Sequence, residues 1–300
     1  GQACGAGGVA GVCGSTTCPP RTCAQAGATC GFVGDGCGGI INYNAATGMG
    51  AGCGSCAMGQ ICGGAGVANQ CGAPVCTAPV CTAQDNNKTQ CTAMAKPVTQ
   101  WTGTVTAPGH DDTAKWGTPD PVPGATVYIP SGTVMPFTQG VSCTQCGGDV
   151  TGNPIATATT GVDGKFTLTN VPCGANIQVP LVIQMGRWRR QVMIQAPACC
   201  SSTALTTAQT RLPRNQTEGD IPKIAVVTGS ADPMECILPK IGIDTTEMTN
   251  PNGTGRINFY RANGNRIDAN TPADTVLWGD LAQMKKYDLI ILDCEGNAYD

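Results

Sequence analysis

The stretch TTGVDGKFTLTNVPCG, residues 159–174, decides how the middle of this 300-residue chain folds. In an extended segment Phe166 and Leu168 fall on one face, while Lys165, Thr167 and Thr169 fall on the other. That alternation has the period of a half-buried strand. Asp163-Gly164 before it and Pro172-Cys173-Gly174 after it supply turn chemistry. Working outward, similar runs occur at Trp101–Thr106, Ala125–Ile129, Ile177–Ile183 and Arg189–Ile194, with Ala125, Val127 and Ile129 forming a second apolar row. Pro121-Val122-Pro123-Gly124 and Met185-Gly186 separate them. Short strands, frequent turns and no helical period predict an antiparallel β-sandwich over residues 97–215.

With WTGTVTAPG (101–109) and VPGATVYIP (122–130) before it, this stretch resembles the carboxypeptidase-regulatory-like, prealbumin-like domain. The resemblance covers roughly 100 residues, and its xDGxFxLxxVPxG portion carries most of it. It implies an accessory or structural sandwich attached to a secreted enzyme or surface protein, with no catalytic residues to transfer. The chain departs from the family pattern in a long insert, about 130–156, that holds Cys143 and Cys146.

Upstream the chemistry is different. Residues 1–14, GQACGAGGVAGVCG, match residues 59–72, GQICGGAGVANQCG, at nine of fourteen positions. The 58-residue offset holds through Cys4/Cys62, Cys13/Cys71, Cys18/Cys76 and Cys23/Cys81, and one period carries eight cysteines: Cys4, Cys13, Cys18, Cys23, Cys30, Cys37, Cys53 and Cys56. Thirteen of the 20 cysteines and 21 of the 42 glycines lie in the first 91 residues, beside four charged side chains only (Arg21, Asp35, Asp85 and Lys88). The large apolar residues there are too few to offset the entropy of ordering about ninety residues at about 1–2 kcal/mol each. A disulfide closing a 15-residue loop contributes about 3 kcal/mol, so several bridges can replace a core. Residues 1–96 therefore read as a disulfide-rich irregular repeat module of short strands and turns with very little helix. The array resembles Gly/Cys-rich repeats in large secreted proteins of myxobacteria-like bacteria, through units such as TCAQAGATCGFVGDGCGG (22–39).

Zinc sites would need paired C-x2-C units with further ligands close by. Two such pairs occur, Cys53/Cys56 and Cys143/Cys146, 90 residues apart and without a neighbouring His. Disulfides are the better reading, and they persist in oxidising surroundings, so the protein is expected to be extracellular or on a bacterial cell surface. Besides the eight of the first period, Cys62, Cys71, Cys76, Cys81, Cys91, Cys143, Cys146, Cys173, Cys199 and Cys200 are expected in structural bridges. Cys199-Cys200 should reach Cys143, Cys146 or Cys173; five cysteines in the sandwich leave one to pair outside it or stay free. The chain starts at Gly1 with no Met, as expected after removal of an export signal.

Residues 216–300 read as an incomplete α/β, flavodoxin-like unit. Ile224–Thr228 and Leu289–Leu292 are continuous apolar runs, the sign of strands covered on both faces. Asp232 as N-cap, Pro233 at the first helical position and Glu235 as capping-box partner announce one helix. Thr271-Pro272-Ala273-Asp274 announces a second, with the stripe Leu277, Leu281, Met284. Two parallel strands leave bare edges, so the sheet is expected to continue past Asp300 or in another chain. The look is similar to flavodoxin-like and glutamine-amidotransferase-like folds, without an amidotransferase motif.

Candidate functional residues are few. Gly186-Arg187-Trp188-Arg189-Arg190 could place Trp188, Arg187, Arg189 and Arg190 against an acidic surface glycan, or simply stack an Arg on Trp188 at a sandwich edge. His110-Asp111-Asp112 could hold a metal or stay solvated. Cys294 ends a parallel strand, where α/β enzymes place reactive groups, yet residues 216–300 contain no His to serve it; a bridge to Cys236 or a buried free thiol is expected. Asn87, Asn215 and Asn252 head glycosylation sequons. No catalytic residue, resident metal or cofactor is expected. A formal net charge of −3 without a basic run excludes a basic nucleic-acid binder. No stretch approaches the roughly 18–20 apolar residues of a membrane helix.

The reading that follows is an exported structural or adhesive protein. Its bridged stalk presents a β-sandwich, and it is able to self-associate into a fibre or matrix. Two alternatives stay open: the N-terminal part of a secreted hydrolase whose α/β domain continues beyond residue 300, and a glycan-binding surface module.

Overall fold

The computed structural model describes residues 2–4, 13–15, 20–31, 33, 41–44, 49–50, 52–54, 56, 61–62, 69–72, 79–138, 140 and 150–295. Cys18, Cys37, Cys76, Cys143 and Cys146 lie outside the described residues. The chain forms two compact units, the first comprising Gly1–Ala78, Ser131–Thr133 and Ser142–Asn153, the second Pro79–Pro130, Val134–Val141 and Pro154–Asp300. The sandwich and the α/β region thus share one unit, which also takes in residues 79–96. The described structure is mainly β.

In the first unit the described strands are short antiparallel pairs: β1 (Gln2–Cys4) with β2 (Cys13–Ser15), β3 (Tyr43–Asn44) with β4 (Met49–Gly50), and β5 (Ile61–Cys62) with β6 (Cys71–Gly72). Cys4 pairs with Cys13 across the first ladder, and Cys62 pairs with Cys71 across the third. The 58-residue repeat is therefore a repeat of backbone register as well as of sequence. Disulfides Cys23–Cys53 and Cys56–Cys71 close separations of 30 and 15 residues, and Cys30, fully buried, is bridged too. Loops of that length give about 3–4 kcal/mol each in the chain-entropy account, more than the buried Ala28 and Ile41 supply. The backbone amides of Thr29 and Cys30 both donate to Asn69 O, and the Cys71 amide donates to Thr29 Oγ1 at 2.8 Å.

The second unit opens with a helix that the composition did not announce, α1 (Pro79–Ala93). Its inward stripe runs Val80, Gln84, Asn87, Cys91, a helical spacing built from amides and sulfur instead of large apolar groups. Gln84 Nε2 donates to Ile155 O and Asn170 O. Asn87, wholly buried, donates to Val171 O and accepts from the amide and hydroxyl of Thr99. Cys91 is bridged to Cys200 and so crosslinks helix to sandwich.

The sandwich follows. Its elements are β7 (Gln100–Thr104), α2 (Thr113–Trp116), β8 (Thr126–Pro130), β9 (Pro154–Thr159), β10 (Lys165–Thr169), β11 (Gln178–Met185), β12 (Trp188–Gln195), β13 (Ser202–Ala204), α3 (Thr207–Thr210) and β14 (Gly219–Asp220). One sheet runs β10-β7-β13 and the other β14-β12-β11-β8-β9. The second sheet is antiparallel throughout; in the first, β13 joins β7 in parallel. Phe166 and Leu168 point into the core while Lys165, Thr167 and Thr169 are exposed, as the alternation requires. Ala125, Val127 and Ile129 meet them from the facing sheet, around Trp101, Leu181 and Ile183. Cys173–Cys199 closes one end.

The α/β region holds β15 (Ile224–Thr228), a single 3-10 turn (Met234–Cys236) running into α4 (Ile237–Lys240), β16 (Met248–Thr249), β17 (Ile257–Arg261), α5 (Thr275–Trp278), α6 (Leu281–Met284) and β18 (Leu289–Leu292). The sheet order is β16-β17-β15-β18, with every pair parallel. Strand β17 was not expected, because Asn258 and Arg261 interrupt its apolar run. Asn258 is nonetheless buried: its amide donates to Thr249 Oγ1 and Gly255 O and accepts from Tyr287 Oη, which also bonds Tyr260 Oη. The second helix is split at Gly279, Asp274 capping one half and Asp280 the other. The capping box expected after β15 does not form. Asp232 gives its carboxylate to the Cys294 amide, and Pro233 begins the 3-10 turn without a side-chain cap.

Sandwich and α/β sheet are joined by a dense polar seam. Arg211 grips both oxygens of Glu218 at 2.6 Å, and the Arg214 amide donates to the same carboxylate. These partners hold the Glu218 carboxyl well below the usual range, at about 2, against the opposing effect of burial. Arg214 also reaches Gly109 O at 2.7 Å, the Gly109 amide donates to Ile241 O, and Asn215 bonds Asp244. Buried Glu247 collects the amides of Gln216 and Arg256 and the Gln216 side chain. Trp188 packs on the cores of both regions.

Candidate functional site

The Arg187–Arg190 hairpin does not offer a free cationic face. Arg187 donates to Thr138 O and Gly140 O and pairs with Asp288 at 3.2 Å. Arg189 is 5% exposed, pairs with Asp220 at 2.8 Å and lies 4.0 Å over the Phe137 ring. Arg190 donates to Ala208 O, and Trp188 Nε1 to Pro213 O. The aromatic under an Arg is therefore Phe137 and not Trp188, which is occupied between two cores. These four residues rivet segments together, and a polyanion would have to displace those bonds to use them.

His110-Asp111-Asp112 is likewise committed. His110 stacks on Trp116 at 4.2 Å and its Nε2 donates to Pro239 O at 2.7 Å. Asp111 pairs with Arg214, which lowers its carboxyl pKa, and Asp112 accepts from the Lys115 amide to cap α2. Of the sequons, Asn87 is buried and bonded on both side-chain atoms, Asn215 is likewise bonded on both, and Asn252 stands exposed.

The sulfurs fall into two populations. Among cysteines with described side chains, ten are bridged: Cys23, Cys30, Cys53, Cys56, Cys71, Cys81, Cys91, Cys173, Cys199 and Cys200. The C-x2-C pair Cys53/Cys56 is divided between two bridges. Sγ atoms of Cys30, Cys56 and Cys71 lie within 4.8 Å of one another, but all three are oxidised and none offers a thiolate. Cys199 reaches Cys173, one of its three expected partners, while Cys200 reaches back to Cys91. Cys236 and Cys294 are both free and exposed, which corrects the expectation of a bridge or a buried thiol. Each directly follows a carboxylate, Glu235 or Asp293.

The surroundings of these carboxylates are the strongest candidate site. Strand β15 lies between β17 and β18, and the segments that follow β15 and β18 meet at the C-terminal end of the parallel sheet, the end at which α/β folds bind ligands. The Asp293 amide extends the ladder to Val227 O, and the Ala231 amide donates to Cys294 O. Gly229 is required here, since a Cβ would stand 2.5 Å from Cys294 O. Ser230 Oγ bonds Glu295 O, Asn263 bonds the Glu295 carboxylate, and Asn265 bonds Glu235 Oε1 at 3.0 Å. Within this frame Asp293 is 7% exposed. Burial first, then the facing Glu235 carboxyl, pushes the Asp293 carboxyl up to about 7, although the nearby Gly229 amide favours the charged form. Asp293 is not among the residues expected from the sequence; the signal for it is a carboxylate directly after a continuous apolar strand. Among the described residues no helix is long and apolar enough to cross a membrane. Compared with known proteins, the chain matches no family model and no curated relative.

Proposed function

We propose that this protein is an exported structural or adhesive component of a bacterial surface or matrix. A disulfide-crosslinked Gly/Cys-rich module carries a carboxypeptidase-regulatory-like sandwich and its α/β companion outside the cytosol. The observation that carries this reading is the sulfur chemistry: ten described cysteines are paired, across the repeat module, α1 and the sandwich, while the two thiols belong to the α/β region. Such a lattice persists only in oxidising surroundings, and it rigidifies segments that lack an apolar core. The low charge of the first 91 residues and the interlocked seam between sandwich and α/β sheet also suit a scaffold exposed to proteases.

The test is accessibility on intact cells that express the protein naturally. A membrane-impermeant label and added proteinase K should reach it, and SDS electrophoresis without reductant should show multimers that collapse when reductant is added. A cytosolic, fully reduced pool would overturn the proposal.

A further inference from the structure

The C-terminal end of the parallel sheet holds a donor set that a purely structural role leaves unused. Neither carboxylate oxygen of Asp293, a residue only 7% exposed, meets a donor within ordinary hydrogen-bond geometry; its nearest polar neighbours are the Glu235 carboxyl, with which it can share a proton, and the Gly229 amide. Glu235 Oε2, also buried, is unpaired as well, while Oε1 is fixed by Asn265. Three acceptor oxygens on two facing carboxyls therefore share a desolvated spot. Buried carboxylates in that state are costly unless a cation or donors compensate them. Asp232 stands beside them, its Oδ1 held by the Cys294 amide. Both carboxyls are positioned by other groups: Asp293 by its backbone bond to Val227, Glu235 by Asn265.

We propose that Asp293 and Glu235 bind a hard divalent cation, Ca²⁺ or Mg²⁺, at the C-terminal edge of the parallel sheet. An all-oxygen donor set selects hard cations over thiolate- or imidazole-preferring ones. Two carboxyls leave further coordination positions to water or to an oxygen ligand of a bound molecule. The affinity expected for so few protein charges is on the order of 10⁻⁴–10⁻³ M, the range of extracellular calcium modules. The proposal does not depend on where the protein resides, so its failure and that of the surface reading are separable.

Mn²⁺ serves as the probe, with the full chain and free ion followed by EPR. The wild type should retain one Mn²⁺ per chain, displaced by Ca²⁺ or Mg²⁺. Asp293→Asn and Glu235→Gln should each weaken retention at least tenfold while keeping the native circular dichroism; Glu295→Gln, whose carboxylate is already bonded to Asn263, should leave retention unchanged. No retained Mn²⁺ would mean a proton-sharing carboxyl pair and would overturn the proposal. So would equal retention by both variants, or displacement by Zn²⁺ alone.

Discussion

Replacing Cys91 and Cys200 together by Ala removes the longest described crosslink, which spans 109 residues. For a loop of that size the chain-entropy relation gives about 4–5 kcal/mol of stabilisation, acting through the unfolded state. The folded state contributes little to the loss, because Asn87 still ties α1 to Val171 and Thr99. The double variant should therefore fold, keep its far-ultraviolet circular dichroism and unfold at markedly lower urea. Cys173→Ala with Cys199→Ala opens a 26-residue separation and should cost about 3–4 kcal/mol on the same relation. Urea titrations of both variants, analysed with a common slope, measure the difference. Losses below about 1 kcal/mol in both would refute the view that bridges substitute for apolar burial; equal losses would refute the loop-length account.

Other consequences follow from the seam and the helix. Asn87→Ala leaves Val171 O and the Thr99 donors buried without partners and should cost about 2–4 kcal/mol in thermal or urea unfolding, with α1 losing protection first in hydrogen exchange. Glu218, with a depressed folded-state pKa, contributes stability that is complete above its unfolded value of 4.5 and fades as pH falls toward about 2. The gap in stability between wild type and Glu218→Gln should accordingly shrink by about 2 kcal/mol between neutral pH and about pH 2, after allowing for partial solvent screening. A gap independent of pH would contradict the assignment. Gly242→Ala would place a Cβ 2.3 Å from Gly109 backbone atoms at φ +98°, and should lower Tm far more than Gly117→Ala, whose φ is +81° with open space around it.

The sandwich was legible because its strands alternate cleanly: Phe166 and Leu168 inward, Lys165 and Thr167 outward, with Ala125, Val127 and Ile129 opposite. The repeat was legible from cysteine spacing alone, and it reappears as matched Cys4–Cys13 and Cys62–Cys71 register. What escaped was whatever buries polar groups. Helix α1 hides Gln84, Asn87 and Cys91 instead of leucines, so apolar periodicity is silent there. Strand β17 carries buried Asn258, whose three partners, Thr249, Gly255 and Tyr287, compensate a residue that strand propensity disfavours. Short strands β13 and β14 are set by their partners β7 and β12, not by their own residues. The Arg187–Arg190 cluster misleads for a related reason: Arg187 and Arg189 pair with Asp288 and Asp220, far along the chain, and Arg190 is spent on the Ala208 carbonyl. Asp293 after an apolar strand is a readable signal, but its pairing with Glu235 is not, because the two come together only through the order of the parallel strands.

Disulfide mapping of the non-reduced protein by proteolysis and mass spectrometry tests the account at its centre. It should recover Cys23–Cys53, Cys56–Cys71, Cys91–Cys200 and Cys173–Cys199, with Cys236 and Cys294 alkylated without prior reduction. Alkylation of the other sulfurs in the native protein, or zinc released from them by acid, would contradict it.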